Sequence, residues 1–198
     1  MFLGEPPASE TTDAAHAADR EADGYVSNIT RLWCWRPDLD ASFSALRASL
    51  MHSSVLTERE CAVLVSSAVA ECDDSYCSLA WGPRLAKLTD VETAAQVIVG
   101  APAPALSDRE AALAAWARQV VRDPNSTTRD HVARLREVGL GDREIFEATA
   151  LVAFRLAFST INDALGAAPD RQLADAAPDP IRAAVSYGRA PSSAESVP

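Results

Sequence analysis

Apolar residues recur along this chain at three- and four-residue spacings, and the runs are punctuated by helix starts and stops. The segment "LTERECAVLVSSAVAEC" (56–72) opens with Thr57 and carries Glu60 three residues later. That is the capping-box pattern, which satisfies the free amides of a first helical turn. "LSDREAALAAWARQVV" (106–121) repeats it with Ser107 and Glu110, then sets Leu113, Trp116 and Val120 along one face. Upstream, "SNITRLWCWRP" (27–37) predicts a short amphipathic helix halted by Pro37, with Leu32, Trp33 and Trp35 as buried anchors. "PDLDASFSALRASL" (37–50) places Leu39, Phe43, Leu46 and Leu50 at helical spacing. Downstream, "TRDHVARLREVG" and "GDREIFEATALVAFRLAFSTINDALG" predict a short helix and a long one, with Gly139 and Gly166 as C-terminal stops. The long helix is apolar around most of its circumference, which predicts a central or interfacial element. No strand-like alternation of useful length interrupts the pattern, so the fold class is all-α.

Composition agrees with that reading and narrows the partners. The 198 residues suffice for one domain with a sizeable core, and only 8 are glycine. A formal net charge of −10 repels an extended phosphate backbone and an anionic membrane surface, so neither nucleic acid nor membrane is expected as a partner. The first residues, "MFLGEPPASETTDAAHAADREADG", lack the basic and apolar regions of a signal peptide, and no uncharged run approaches ~20 residues. A cytoplasmic location is the expectation. Residues 1–24 read as an N-terminal arm, 25–170 as the helical domain and 171–198 as a tail. Residues 1 to about 20 and the closing "APSSAESVP" have the composition of mobile ends.

Candidate chemistry is concentrated in "ECDDSYCSLAWG" (71–82). In one unbroken helix Cys72 and Cys77 would lie ~140° apart around the axis and ~7.5 Å apart along it, too far for a disulfide. Asp73, Asp74 and Ser75 are good N-cap residues, so one helix is expected to end near Glu71 and another to begin near Asp74. Cys77 then falls in a first turn, where the helix dipole favours a thiolate while Asp73 and Asp74 oppose it. Cysteines on Ala/Leu-rich helices also serve as small buried hydrophobes, so both readings stay open for Cys77 and Cys72, as for Cys34 and Cys61. Glu60 is explained by its cap alone. His131 reads as a surface histidine on a charged helix, and His16 and His52 stand in polar surroundings. No spacing of Cys, His and carboxylates suggests a metal site, no glycine-rich phosphate loop occurs, and no cofactor is expected.

Taken together, "LTERECAVLVSSAVAECDDSYCSLAWG" resembles the carboxymuconolactone decarboxylase family, and within it the alkylhydroperoxidase D (AhpD)-like branch. The likeness runs over about residues 25–170 and includes "FSTINDALGAAPD". It implies an AhpD-like multi-helix orthogonal bundle that assembles into a homo-oligomer (a dimer, trimer or hexamer) and acts on a small-molecule substrate. In the peroxidase branch, a Glu precedes the first cysteine of a Cys-x-x-Cys by twelve residues and a His follows the second by four. One thiolate attacks peroxide, the sulfenic acid condenses with the partner thiol, and the Glu and His relay protons. Here Glu60 lies twelve residues before Cys72, which leaves two extra residues before Cys77. Anchoring on "SYCSLAWG" instead makes Cys77 the second cysteine, Asp74 the occupant of the first position and Ala62 that of the Glu. Under both registers Trp81 stands where the relay histidine belongs, and tryptophan has no acceptor with which to shuttle a proton.

Three readings result. The first is an AhpD-like thiol oxidoreductase with peroxidase-type activity, Cys77 attacking and Cys72 resolving with support from Glu60. The second is a divergent, non-redox member that binds a small apolar or aromatic ligand beside Trp81, Tyr76 and Asp74. The third, a lactone decarboxylase-like lyase, ranks last because no histidine or arginine lies in the motif segment "ECDDSYCSLAWG" to hold an acidic substrate.

Overall fold

A computed structural model describes residues 1–52, the His52 side chain excepted, and 55–193. The expectations for His52 and for the last five residues lie outside the described residues. The core is organised around α4 (Glu58–Glu71), in which every side chain from Glu60 to Ala70 is buried. It packs against α5 (Ser75–Leu88), α7 (Asp108–Arg122) and α9 (Asp142–Ala164). The central element is thus α4 rather than the longer α9. One side of α9 buries Ile145, Ala148, Leu151 and Val152, while Phe146 is 72% exposed and Phe154 43%. Among the described residues no strand occurs, as the absent alternation predicts. Among the described residues, no helix is long and apolar enough to cross a membrane.

The two repeated starts pack side by side and exchange partners. Thr57 caps α4 and Ser107 caps α7, each with a complete capping box. Arg59 then reaches across to Glu110, while Arg109 reaches back to Glu60 and on to Glu144. The "LTERE" and "LSDRE" segments therefore form a reciprocal clamp in which each cap carboxylate neutralises the other helix's arginine. Such charges are tolerable when half-buried because they are paired and hydrogen-bonded.

The remaining elements enclose this centre. α2 (Asn28–Trp33) and α3 (Pro37–His52) lie over α9, with Trp33 stacked on Phe158 at 4.9 Å and donating to Asn162. Trp35, expected as a buried anchor, is 42% exposed, because α2 ends at Trp33 and the chain turns into α3 at Pro37. Leu39 is likewise exposed, which leaves Phe43, Leu46 and Leu50 as the half-buried face of α3. α8 (Arg129–Glu137) begins with His131 at its cap, its ring nitrogen accepting from the Thr128 amide. The stops at Gly139 and Gly166 both adopt positive φ.

Both flanks of the expected domain are ordered helices. α1 (Glu10–Asp23) is capped by Ser9, and α6 (Val91–Val99), α10 (Arg171–Ala176) and α11 (Asp179–Ala184) pack along α5. Ile181 is fully buried against Gly82, where an added Cβ would lie 2.6 Å from its Cγ2. The region after 170 has little apolar character in sequence, and its small alanines still fill the space over α5 and α6.

Candidate functional site

The break between the paired thiols forms as expected. α4 ends at Glu71 with Cys72 at its C-cap, Asp73 takes a left-handed conformation (φ 57°), and Asp74 caps α5. Asp tolerates this region better than most residues because its short polar side chain bonds locally. The Cys77 amide donates to Asp74 Oδ1 at 2.8 Å. The amide best placed to stabilise a Cys77 thiolate is thereby already satisfied by a carboxylate.

A C-terminal clasp holds this joint closed. The Ser75 hydroxyl donates to the Arg189 carbonyl at 2.8 Å, and the Arg189 amide donates back to Ser75 Oγ at 3.0 Å. Gly188, at φ 68°, passes so close that an added Cβ would meet the Asp73 carbonyl oxygen at 2.4 Å. Only glycine fits there.

Cys77 lines a cavity of ≈ 700 Å³, together with Tyr76, Trp81, Arg84 and Arg155. A second cavity of ≈ 380 Å³ adjoins it and shares Arg47, Trp81, Arg84, Arg155 and Phe158. Arg155 of α9 is the hub. Its Nη2 donates to Cys77 Sγ at 3.3 Å, and its guanidinium lies 5.7 Å from the Trp81 ring and 4.9 Å from that of Phe158. Arg84 lies 5.1 Å from the Trp81 ring. Trp81 thus serves as a cation–π platform for two arginines.

Burial decides the protonation of Cys77. Desolvation pushes its thiol far above the ordinary range, Asp74 adds to the rise, and Arg155 opposes it. The thiol is the resting form at neutral pH. Cys72 is also raised, to about 11, by burial first and by Asp74 next.

The structure brings Cys77, Tyr76 and Trp81 onto one cavity and leaves three predicted residues off it. Asp74 is fully buried beneath the first turn of α5 and serves as its cap. Cys72 turns its sulfur toward the Val69 carbonyl, and Cys72 and Cys77 are not bonded to each other. Glu60 sits at the opposite end of α4 from Cys72, ~18 Å away by helical rise. Its carboxylate accepts from the Thr57 amide and hydroxyl and from Arg109. Tyr76 has a second task, donating to Asp170, whose carboxylate also accepts from the Asn28 amide.

The motif segment gave no hint of Arg155, which arrives from α9. Its one sequence signal is its isolation, as the sole charged residue between Glu147 and Asp163 in an otherwise apolar stretch. The reason for ranking the lyase reading last, a lack of arginine at the site, does not hold in three dimensions.

No family model matches the sequence, and no curated protein matches it significantly. Solved structures do match. One is an uncharacterized peroxidase-related protein with an alkylhydroperoxidase AhpD core from Ralstonia eutropha JMP134, at 22% identity and TM-score 0.75, covering 87% of this chain and 93% of that one. Another, from Silicibacter sp. TM1040, is also described as peroxidase-related, at 20% identity and TM-score 0.75 with the same coverage. A third is the debrominase Bmp8, as a cysteine-to-alanine variant in complex with 2,3,4-tribromopyrrole, at 13% identity and TM-score 0.70, covering 87% of this chain and 94% of that one. The chain has the all-α AhpD-like fold.

Proposed function

We propose that the protein is a thiol-dependent oxidoreductase of AhpD-like type in which Cys77 is the reacting sulfur and Cys72 resolves it. The observation that carries this reading is the Arg155 guanidinium placed 3.3 Å from Cys77 Sγ on the wall of a cavity. A cation at that distance favours the thiolate. In the proposed step Cys77 attacks the terminal oxygen of a hydroperoxide. The O–O bond breaks, the alcohol leaves with the thiol's proton, and Cys77 becomes a sulfenic acid. The Cys72 thiol then displaces water to form a disulfide, which an external dithiol reduces. Glu60 acts as a positioning residue, fixing the start of α4 rather than touching sulfur. The peroxidase-related descriptions of two fold neighbours support the class of chemistry.

Mass mapping after mild peroxide treatment tests it. The peptide spanning 71–84 is expected to lose ~2 Da through a Cys72–Cys77 disulfide. Sulfinic acid on Cys77 alone, or an unmodified peptide, removes the two-thiol reading. The burial that keeps Cys77 protonated favours a second reading, a ligand pocket without turnover. An unmodified peptide together with no consumption of cumene hydroperoxide in the presence of dithiothreitol is the result that selects it.

We also infer a homo-oligomer formed through α9, from the exposure of two large aromatic side chains, Phe146 and Phe154, on that helix.

A further inference from the structure

The cavity beside Cys77 carries more positive charge than its own residues balance. The interior arginines elsewhere are paired: Arg59 with Glu110, Arg109 with Glu60 and Glu144, Arg118 with Glu71. Arg47, Arg84 and Arg155 form no ion pair among the described residues, although the chain has 28 acidic residues to 18 basic ones. Arg84 feels both neighbours: burial first, then Arg47 and Arg155, lower its pKa. The Arg155 Nε is buried without a hydrogen-bond partner among the described residues. An unsatisfied guanidinium N–H in such a place is costly unless a ligand completes it.

Acidic groups are present but few. Asp19 and Asp40 reach the smaller cavity and Asp23 the larger, where Lys87 adds a further cation. Burial raises Asp40 and the Arg47 charge opposes that rise, so Asp40 is a counter-charge to Arg47 and leaves Arg84 and Arg155 to the ligand. Phe43, Leu50, Met51, Leu151 and Phe154 give the smaller cavity an apolar portion beside the hydroxyls of Ser27, Thr30 and Ser44. Its ≈ 380 Å³ lies at the small end of the ~300–1,000 Å³ typical of ligand sites.

We propose that this cavity binds a small hydrophobic carboxylate, its anionic group bridging Arg155 and Arg84 beside Cys77 and its aromatic or branched body lying against the α3 and α9 side chains. Arginine suits this task because its planar fork presents paired donors to a carboxylate. Arg47 and Arg84, exposed at the mouth, draw the anion in from solvent, and Arg155 receives it. The inference deepens the thiol reading and rests on it, since it names the anionic group, a carboxylate, that a hydroperoxide substrate of the same site would carry.

Calorimetric titration of the full chain with benzoate, phenylacetate and neutral benzamide tests it. The carboxylates are expected to bind about 10- to 100-fold more tightly than benzamide, the range for a hydrogen-bonded charge. Arg155→Met should erase that preference while leaving benzamide affinity unchanged. Arg84→Met, at an exposed position, should reduce it and serves if Arg155→Met fails to fold by circular dichroism. Cys77→Ser should retain benzoate binding. Equal affinity for benzoate and benzamide, or no carboxylate binding, overturns the inference. Benzoate binding in a protein whose cysteines are inert to peroxide supports this inference and removes the oxidoreductase reading. A peroxide-induced disulfide with no preference for carboxylates overturns this inference alone.

Discussion

At the scale of single residues, the chemistry of Cys77 is a contest between burial and one guanidinium. Sequence alone leaves its protonation open, because the helix start and Asp73 and Asp74 pull in opposite directions. The structure adds two facts that no local pattern contains: a desolvated sulfur, and Arg155 arriving from α9, 78 residues away in sequence. Since burial raises the thiol, its labelling by iodoacetamide should be slow at neutral pH and accelerate only above the ordinary thiol range. Arg155 lowers the pKa, so Arg155→Met should move that profile to still higher pH. Labelling rates measured across pH for both proteins, with Cys72 replaced by serine, check this. A profile unmoved by the substitution would deny Arg155 any electrostatic hold on the sulfur. Trp81 shows the same limit of local reading. Its identity shows only that it lacks an acceptor, while its service as a platform for Arg84 and Arg155 depends on residues beyond its own turn.

At the scale of helices, the punctuation was the most legible feature. Thr57 and Ser107 cap α4 and α7, the break falls between Glu71 and Ser75, and the glycine stops stand where expected. Capping is a local interaction among residues three apart, so a sequence displays it directly. The cross-pairing of the two caps is not local. Its only trace is the repeated Arg-Glu after each cap residue, which acquires meaning once α4 and α7 lie together. Spacing also misled: the twelve residues from Glu60 to Cys72 invite a catalytic pairing, yet twelve residues of continuous helix keep their ends apart. Glu60→Ala removes an amide cap and leaves Arg109 short of one partner. A loss of about 2–4 kcal/mol in denaturant-unfolding stability is expected, below the full cost of a deeply buried pair because Arg109 keeps Glu144. The labelling profile of Cys77 should stay in place, and a large shift in it would mean that Glu60 acts on the sulfur after all.

For the molecule as a whole, the all-α architecture could be read from periodicity, whereas the helices after residue 170 could not. α10 and α11 are each six residues long and rely on small alanines, so they show neither a strong apolar stripe nor a full capping box. Their burial depends on Gly82 leaving room for Ile181. Phe146 and Phe154 of α9 are exposed, and Phe154 also lines the smaller cavity. Light scattering at micromolar concentration should therefore report an oligomer, and Phe146→Asp should shift it toward the monomer, since a charge placed in an apolar contact is costly. A monomeric wild-type chain would contradict the proposed assembly.

The Gly188 crossing ties the far end of the polypeptide to the spacing of its two thiols. The Asp73 bend sets the path of chain between them, and the returning segment lies across that bend like a latch. Events at the C-terminus, such as a protease cut or a covering neighbour, would then reach the sulfurs mechanically, with no need to enter the cavity.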